Sequence, residues 1–104
     1  MSKFFLLSGA VWAGLSVALG AFGAHALKAS LEAAGRFETF ETAVRYQMYH
    51  GLGLVLISIL LRLLPEATRP LTWAGWGFLV GSLIFSGSLY LICFTGARWW
   101  GAVA

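Results

Sequence analysis

Between Phe4 and Ala24 the chain runs 21 residues without a charged side chain. A helix needs roughly 20 to cross the hydrocarbon core of a bilayer. A large soluble protein could bury one such helix, but 104 residues leave room for a single domain. The rest of the chain is no more polar. It is 60% hydrophobic, 15% aromatic and only 11% charged, against about 25% charged residues in an ordinary soluble domain. A soluble chain this short cannot hide so much apolar surface, so the bilayer is the solvent for most of it.

A cleaved signal peptide competes for the first run, since Lys3 supplies a basic start and Ala24-His25-Ala26 resembles a cleavage site. The run is longer than the usual ~7–15-residue apolar region of a signal. It also has internal order: Gly9, Ala13, Ser16, Gly20 and Gly23 recur at spacings of four or three, which gathers small residues on one helix face. Such a face lets another helix backbone approach closely, and a disposable signal has no use for one. The reading is a transmembrane helix over about 4–24.

Residues 25–36 form the longest polar stretch. Leu27 and Leu31 lie opposite Lys28, Glu32 and Arg36, and Gly35 offers a helix C-terminus. A short amphipathic helix in the interface plane fits; a plain surface loop is the alternative. The pattern restarts at Phe37, with Phe40, Val44 and Met48 on one edge and Glu41 paired to Arg45. A second span is expected over about 38–64, closed by Pro65, because the residue before proline is disfavoured in a helix. A tight link through Glu66, Arg69 and Pro70 makes the second and third spans an antiparallel hairpin. The third, about 71–95, begins at Trp73 and Trp76 as interfacial anchors. It carries Gly77-x-x-x-Gly81 and then Ser82, Ser86 and Tyr90, four apart on one face. Gly96 and Arg98 are expected to end it, with Trp99-Trp100 at the opposite interface. The fold class is an all-α integral membrane protein: one domain, three transmembrane helices, and a short interfacial helix between the first two.

The net charge of +3 comes from seven scattered basic residues, which do not make a nucleic-acid patch. As topology signals they nearly cancel, with Lys3, Arg62 and Arg69 on one side and Lys28, Arg36, Arg45 and Arg98 on the other. The single cysteine, Cys93, excludes an internal disulfide and a cysteine metal cage. Within Leu91-Ile92-Cys93-Phe94 it reads as a small apolar filler.

Most of the polar chemistry is concentrated in Glu41–Gly53, where Arg45, Tyr46, Gln47 and Tyr49 precede His50. His25 closes the first span and His50 is read as opening the second, so both imidazoles are expected toward one membrane face. Two such histidines could hold a haem iron. No carboxylate or thiolate stands at a helical spacing that would complete a zinc site, and neither a metal nor another cofactor is expected. The alternative is that each histidine satisfies groups at the helix ends. A charged imidazolium within a span is costly, so His50 is expected neutral and hydrogen-bonded, through Tyr46 or through Ser86, Ser88 or Tyr90 of the third span. Arg45, Tyr46, Gln47 and Tyr49 could line a pocket or simply anchor at the interface. No nucleophile–base pair or phosphate-cradling loop is present, and Gly20-x-x-Gly23 lies inside a membrane helix, so no enzymatic activity is expected.

Three motifs taken together resemble one family: Gly20-Ala-Phe-Gly-Ala-His-Ala-Leu27, Phe40-Glu-Thr-Ala-Val-Arg-Tyr-Gln-Met-Tyr-His-Gly-Leu52 and Phe85-Ser-Gly-Ser-Leu-Tyr90. In this order they are similar to the small membrane proteins called domain of unknown function 423, whose animal relatives are called transmembrane protein 256. The resemblance implies a multi-pass bacterial inner-membrane protein of helical-hairpin architecture, with both termini in the cytoplasm. It implies no assigned activity, cofactor or catalytic residue. His25, Arg45, Tyr46, Gln47, His50, Ser86 and Tyr90 are its motif positions and form the candidate polar cluster. The family has four spans, the last begun by a Pro-Gly-Gly turn. This chain stops at Trp100-Gly-Ala-Val-Ala104, so the fourth family helix is expected to be absent and 96–104 to be a tail.

Two functions follow as expectations. Small-residue faces on the first and third spans exceed what three helices need among themselves, which points to an accessory subunit packed against a larger membrane complex, or to a homo-oligomer, in contact with lipid. The polar cluster near His25 and His50 points instead to binding or transport of a small molecule, lipid or proton.

Overall fold

The computed structural model describes residues 1–95. Helix α1 (Ser2–Ala24) is followed by the short α2 (Lys28–Ala33), by α3 (Phe37–Leu63), by a 3-10 turn (Pro65–Ala67) and by α4 (Thr68–Thr95). Three helical segments, Ser2–Ala24, Phe37–Leu63 and Pro65–Thr95, are long and apolar enough to cross a membrane. The chain is an all-α membrane protein, and its described residues supply three helices able to span the bilayer. Gly96, Arg98, Trp99 and Trp100, expected at the end of the third span and in the tail, lie outside the described residues.

Local chemistry sets the breaks. Gly35 closes α2 at a φ of 69°, the left-handed conformation that glycine adopts without a Cβ penalty. The Arg36 amide then donates to the Leu31 carbonyl at 2.8 Å and the Gly35 amide to Glu32 at 3.0 Å, capping carbonyls the helix itself leaves open. Leu31 is buried, while Lys28, Glu32 and Ala33 are exposed, so the short segment is amphipathic as its spacing predicts. Pro65 ends α3: Leu64 adopts φ −124° and ψ 69°, outside the helical region. Helix α4 begins three residues before the expected Leu71. Pro70 falls in its first turn, where the missing N–H would have had no helical acceptor anyway.

Helix α3 lies between α1 and α4. Against α1 it packs backbone to backbone. A Cβ on Gly9 would lie 2.7 Å from the Gly51 carbonyl oxygen, and one on Gly51 would lie 2.8 Å from the Ala13 nitrogen. Further along the same face a Cβ on Gly20 would meet Val44 at 3.3 Å, and the Phe40 ring fills the space over Gly23. The small-residue face of the first span is therefore consumed by α3. Long side chains carry α1 across to α4: Phe5 is fully buried over Gly75 and sits edge-on to Trp76 at 5.8 Å. Phe5, Leu54, Ile57 and Leu61 make the apolar core, flanked by Leu71, Ala74 and Leu79. The outside is inverted relative to a soluble protein. Leu7, Val11, Val17, Leu52, Leu56 and Trp73 are all more than half exposed, a surface suited to lipid.

Candidate functional site

The antiparallel register of α1 and α3 sets the depth of every polar group. Gly23 meets Phe40 and Gly9 meets Gly51 and Leu54, so the end of α1 lies beside the start of α3, and Gly51 lies level with mid-α1. His25 follows α1 and sits near the Phe40 end. His50, ten residues beyond Phe40, is about 15 Å deeper at a rise of 1.5 Å per residue. The expectation that His50 opens its span beside His25 is corrected: α3 already begins at Phe37, and His50 stands near the middle of that helix. The two imidazoles line different grooves, His25 with Ala21 and Phe22, His50 with Tyr46, Gly81 and Phe85. This arrangement gives one haem iron no pair of facing ligands. Among the described residues no three His, Cys, Asp or Glu side chains gather as a metal site.

What meets at the centre of the bundle is a hydrogen-bonded circuit on Gln47. Its side chain is fully buried between α1 and α4. The Nε2 donates to the Trp12 carbonyl at 2.9 Å, an acceptor that fixes which end of the amide is nitrogen. The Oε1 accepts the Tyr90 hydroxyl at 2.6 Å. The Trp12 indole in turn donates to Ser82 Oγ at 2.6 Å. One turn on, Ser86 Oγ donates to the Ala43 carbonyl at 2.9 Å. Helices α1, α3 and α4 are thus joined pairwise by polar bonds where water is absent and an unpaired polar group is costly. Among the described residues no buried side-chain nitrogen or oxygen lacks a partner. Tyr90 is further set by the Phe40 ring, 5.5 Å away and edge-on, and Cys93 Sγ lies 3.6 Å from the Arg36 carbonyl.

The candidate cluster therefore divides. Gln47, Ser86 and Tyr90 come together, with Trp12 and Ser82 added to them. Sequence reasoning passed over Trp12. The signal for it was its place as the sole indole inside the first span, one residue from the Gly9-Ala13-Ser16 face. Arg45 is exposed and lies 3.9 Å from Glu41. Tyr46 packs its ring on Phe85 at 5.1 Å and on Tyr49 at 5.5 Å. His50 Nδ1 is 2.7 Å from the Tyr46 backbone carbonyl, so Nδ1 carries the proton in this bond. Of the partners expected for His50, the structure gives Tyr46, through its backbone carbonyl, and not Ser86, Ser88 or Tyr90 of α4; the Ser86 and Tyr90 hydroxyls are held by Ala43 and Gln47. The His50 ring sits edge-on to Phe78 at 5.7 Å.

Fold and site together define a small polytopic membrane protein whose three described spans are locked by a buried polar circuit. The chain belongs to the family described as Protein of unknown function (DUF423), whose model matches residues 19–104. It is 42% identical over 101 residues to a UPF0382 membrane protein of Staphylococcus haemolyticus, covering 97% of this chain and 80% of that one. It is 40% identical over 101 residues to the UPF0382 membrane protein YwdK of Bacillus subtilis, with the same coverage. No solved structure matches it.

Proposed function

We propose that the protein is a non-enzymatic accessory subunit that packs through the outer face of α4 against a larger complex in the bacterial inner membrane, its N-terminus cytoplasmic. The observation carrying this reading is the contrast between two sets of glycines. On α1, Gly9, Gly20 and Gly23 are each covered by α3. On α4, a Cβ at Gly77 or Gly81 would meet nothing within 4 Å. The same device that brings a helix onto α1 stands uncovered on α4, where van der Waals fit drives helix association in lipid. A Gly81→Leu variant of the full chain tests it. Crosslinking in native membranes should lose a partner band that the wild type gives, with thermal unfolding in detergent unchanged. An undiminished band, or a wild type without one, rejects the reading.

A second reading, binding of a small molecule or proton, has its own observation. With Nδ1 engaged by Tyr46, His50 Nε2 remains as an acceptor without a partner among the described residues. It lies in a shallow groove of about 340 Å³ lined by Tyr46, Gly81 and Phe85. A His50→Ala variant that retains growth under stress and all ligand binding rejects it.

A further inference from the structure

A second groove lies on a different surface, between α1 and the first half of α3. It has a volume of about 370 Å³, within the range of ligand pockets. Its floor is apolar, from Val17, Gly20, Val44 and Met48, and it exists because glycine at 20 leaves room beside Val44. Along one wall stand Glu41, Arg45 and Tyr49, spaced by four and so about 6 Å apart on one face of α3.

Depth gives this ladder its meaning. The 27 residues of α3 extend about 40 Å, some 10 Å more than the hydrocarbon core. With Leu63 and the exposed Arg62 at one boundary, the other falls near Val44. Glu41 then stands in the headgroup layer, Arg45 at its base, and Tyr49 one turn inside. Side chains on a helix lean toward its N-terminus, here outward, so all three reach toward the headgroups. Glu41 and Arg45 form only a loose ion pair: 3.9 Å separates their charged atoms and each side chain is about half exposed, a separation longer than a hydrogen bond, so both keep capacity for a further partner. The Tyr49 hydroxyl makes no hydrogen bond among the described residues, and the residue is 55% exposed.

From outside inward the wall offers an anion, a cation and a hydroxyl donor. A phospholipid with a primary amine offers the complement in the same order: ammonium, phosphate, ester carbonyl. We propose that this groove holds one phosphatidylethanolamine-type lipid, Glu41 taking its ammonium, Arg45 its phosphate and Tyr49 an ester carbonyl, with an acyl chain along Val17, Gly20 and Met48. A partner helix is the poorer occupant, since it would have to bury the loosely paired Glu41 and Arg45. A choline headgroup, with no N–H to donate, makes a weaker bond to Glu41; a glycerol headgroup has no cation for it.

The test is lipid titration of the purified full chain in detergent, read by native mass spectrometry, with phosphatidylethanolamine, phosphatidylcholine and phosphatidylglycerol as probes. The wild type should prefer the primary amine by about ten-fold, the scale of one charge-assisted hydrogen bond. E41Q should abolish the preference while keeping phospholipid binding, and R45Q should weaken all three lipids. Both positions are half exposed, so circular dichroism of the variants should match the wild type. Equal binding of the three lipids, an E41Q variant that keeps the preference, or native-membrane crosslinks from Val17 to a protein in place of lipid overturns the proposal.

Discussion

The two seams of the bundle hold the same helix by opposite means. Between α1 and α3, side chains are removed until backbones touch: Gly9 faces the Gly51 carbonyl, and Gly51 faces the Ala13 backbone. Between α3 and α4, side chains do the joining. Phe78 fills the space over Gly53, Ser86 reaches the Ala43 carbonyl and Tyr90 reaches Gln47. A membrane offers no hydrophobic force between helices, because lipid is as apolar as leucine. Close backbone approach and interhelical hydrogen bonds are the two resources left, and this chain assigns one mainly to each seam. The difference predicts how each fails. The glycine seam has no slack for an added atom, whereas the polar seam fails by losing a partner.

The largest effect is expected at the glycine seam. Alanine favours a helix over glycine by about 1 kcal/mol, so Gly51→Ala would stabilise an isolated α3. In the bundle its Cβ would lie 2.8 Å from the Ala13 nitrogen and 3.1 Å from its Cα, both backbone atoms that move only if the helices part. We expect a net loss of about 3 kcal/mol, the upper range of overpacking penalties, read as a lowered unfolding midpoint in detergent. Gly77→Ala on the open face of α4 is the control and should be neutral or slightly stabilising. A Gly51→Ala protein as stable as the wild type would mean that the seam is looser than this register.

Next comes Gln47→Leu. It keeps the volume but strands the Tyr90 hydroxyl and takes one bond from the Trp12 carbonyl, at a cost of about 2 kcal/mol. Trp12→Phe removes only the indole donor to Ser82 and should cost less. If the two losses add independently in the double variant, the circuit is a set of separate bonds. A double variant little worse than Gln47→Leu shows that it acts as a unit.

The span count, the break at Pro65, the Gly35 cap and the small-residue face of α1 were all legible in the sequence. Each depends on local chemistry or on a period along one helix. The pairing of Gln47 with Trp12 and Tyr90 depends on which turn of one helix meets which turn of another. That register is fixed by Gly9, Gly51 and Phe40 acting together, which no spacing within one span reveals. The displacement of His50 to mid-span has the same origin. Its neighbours in sequence are polar and resemble an interface, yet Gly51 carries it to the level of Ala13. On α4 the period located the Ser82, Ser86 and Tyr90 face correctly. It could not say that Gly81, one residue and 100° away from Ser82, would be left without a neighbour.

Ser86→Ala should have a smaller effect than either seam's central contact. Its hydroxyl donates to a carbonyl that also lies in the regular hydrogen bonding of α3, so the variant leaves no acceptor stranded. Interhelical hydrogen bonds in membranes average about 0.6 kcal/mol, and a shift of that size in detergent unfolding is expected. A loss as large as that of Gln47→Leu would move the centre of the polar seam from Gln47 to Ser86.

The smallest effect is expected at His50, although its surroundings in sequence mark it as the most consequential polar residue of the span. Were His50 bonded to α4, its replacement by leucine would strand a hydroxyl in hydrocarbon and loosen the hairpin. The structure gives it a bond to the Tyr46 carbonyl, four residues back on its own helix. That carbonyl is the regular acceptor of the residue 50 amide, so it stays paired when the imidazole is gone. Leucine also suits the half-buried, aromatic setting beside Phe78. His50→Leu should therefore leave the unfolding midpoint within about 0.5 kcal/mol of the wild type, the range of substitutions that disturb no special contact. The same variant then separates stability from function, since any loss of ligand binding or growth has to come from Nε2 and the groove it faces. A clearly lowered midpoint would show instead that His50 bonds across the hairpin, and that the division of labour between the two seams places one polar tie too few on α4.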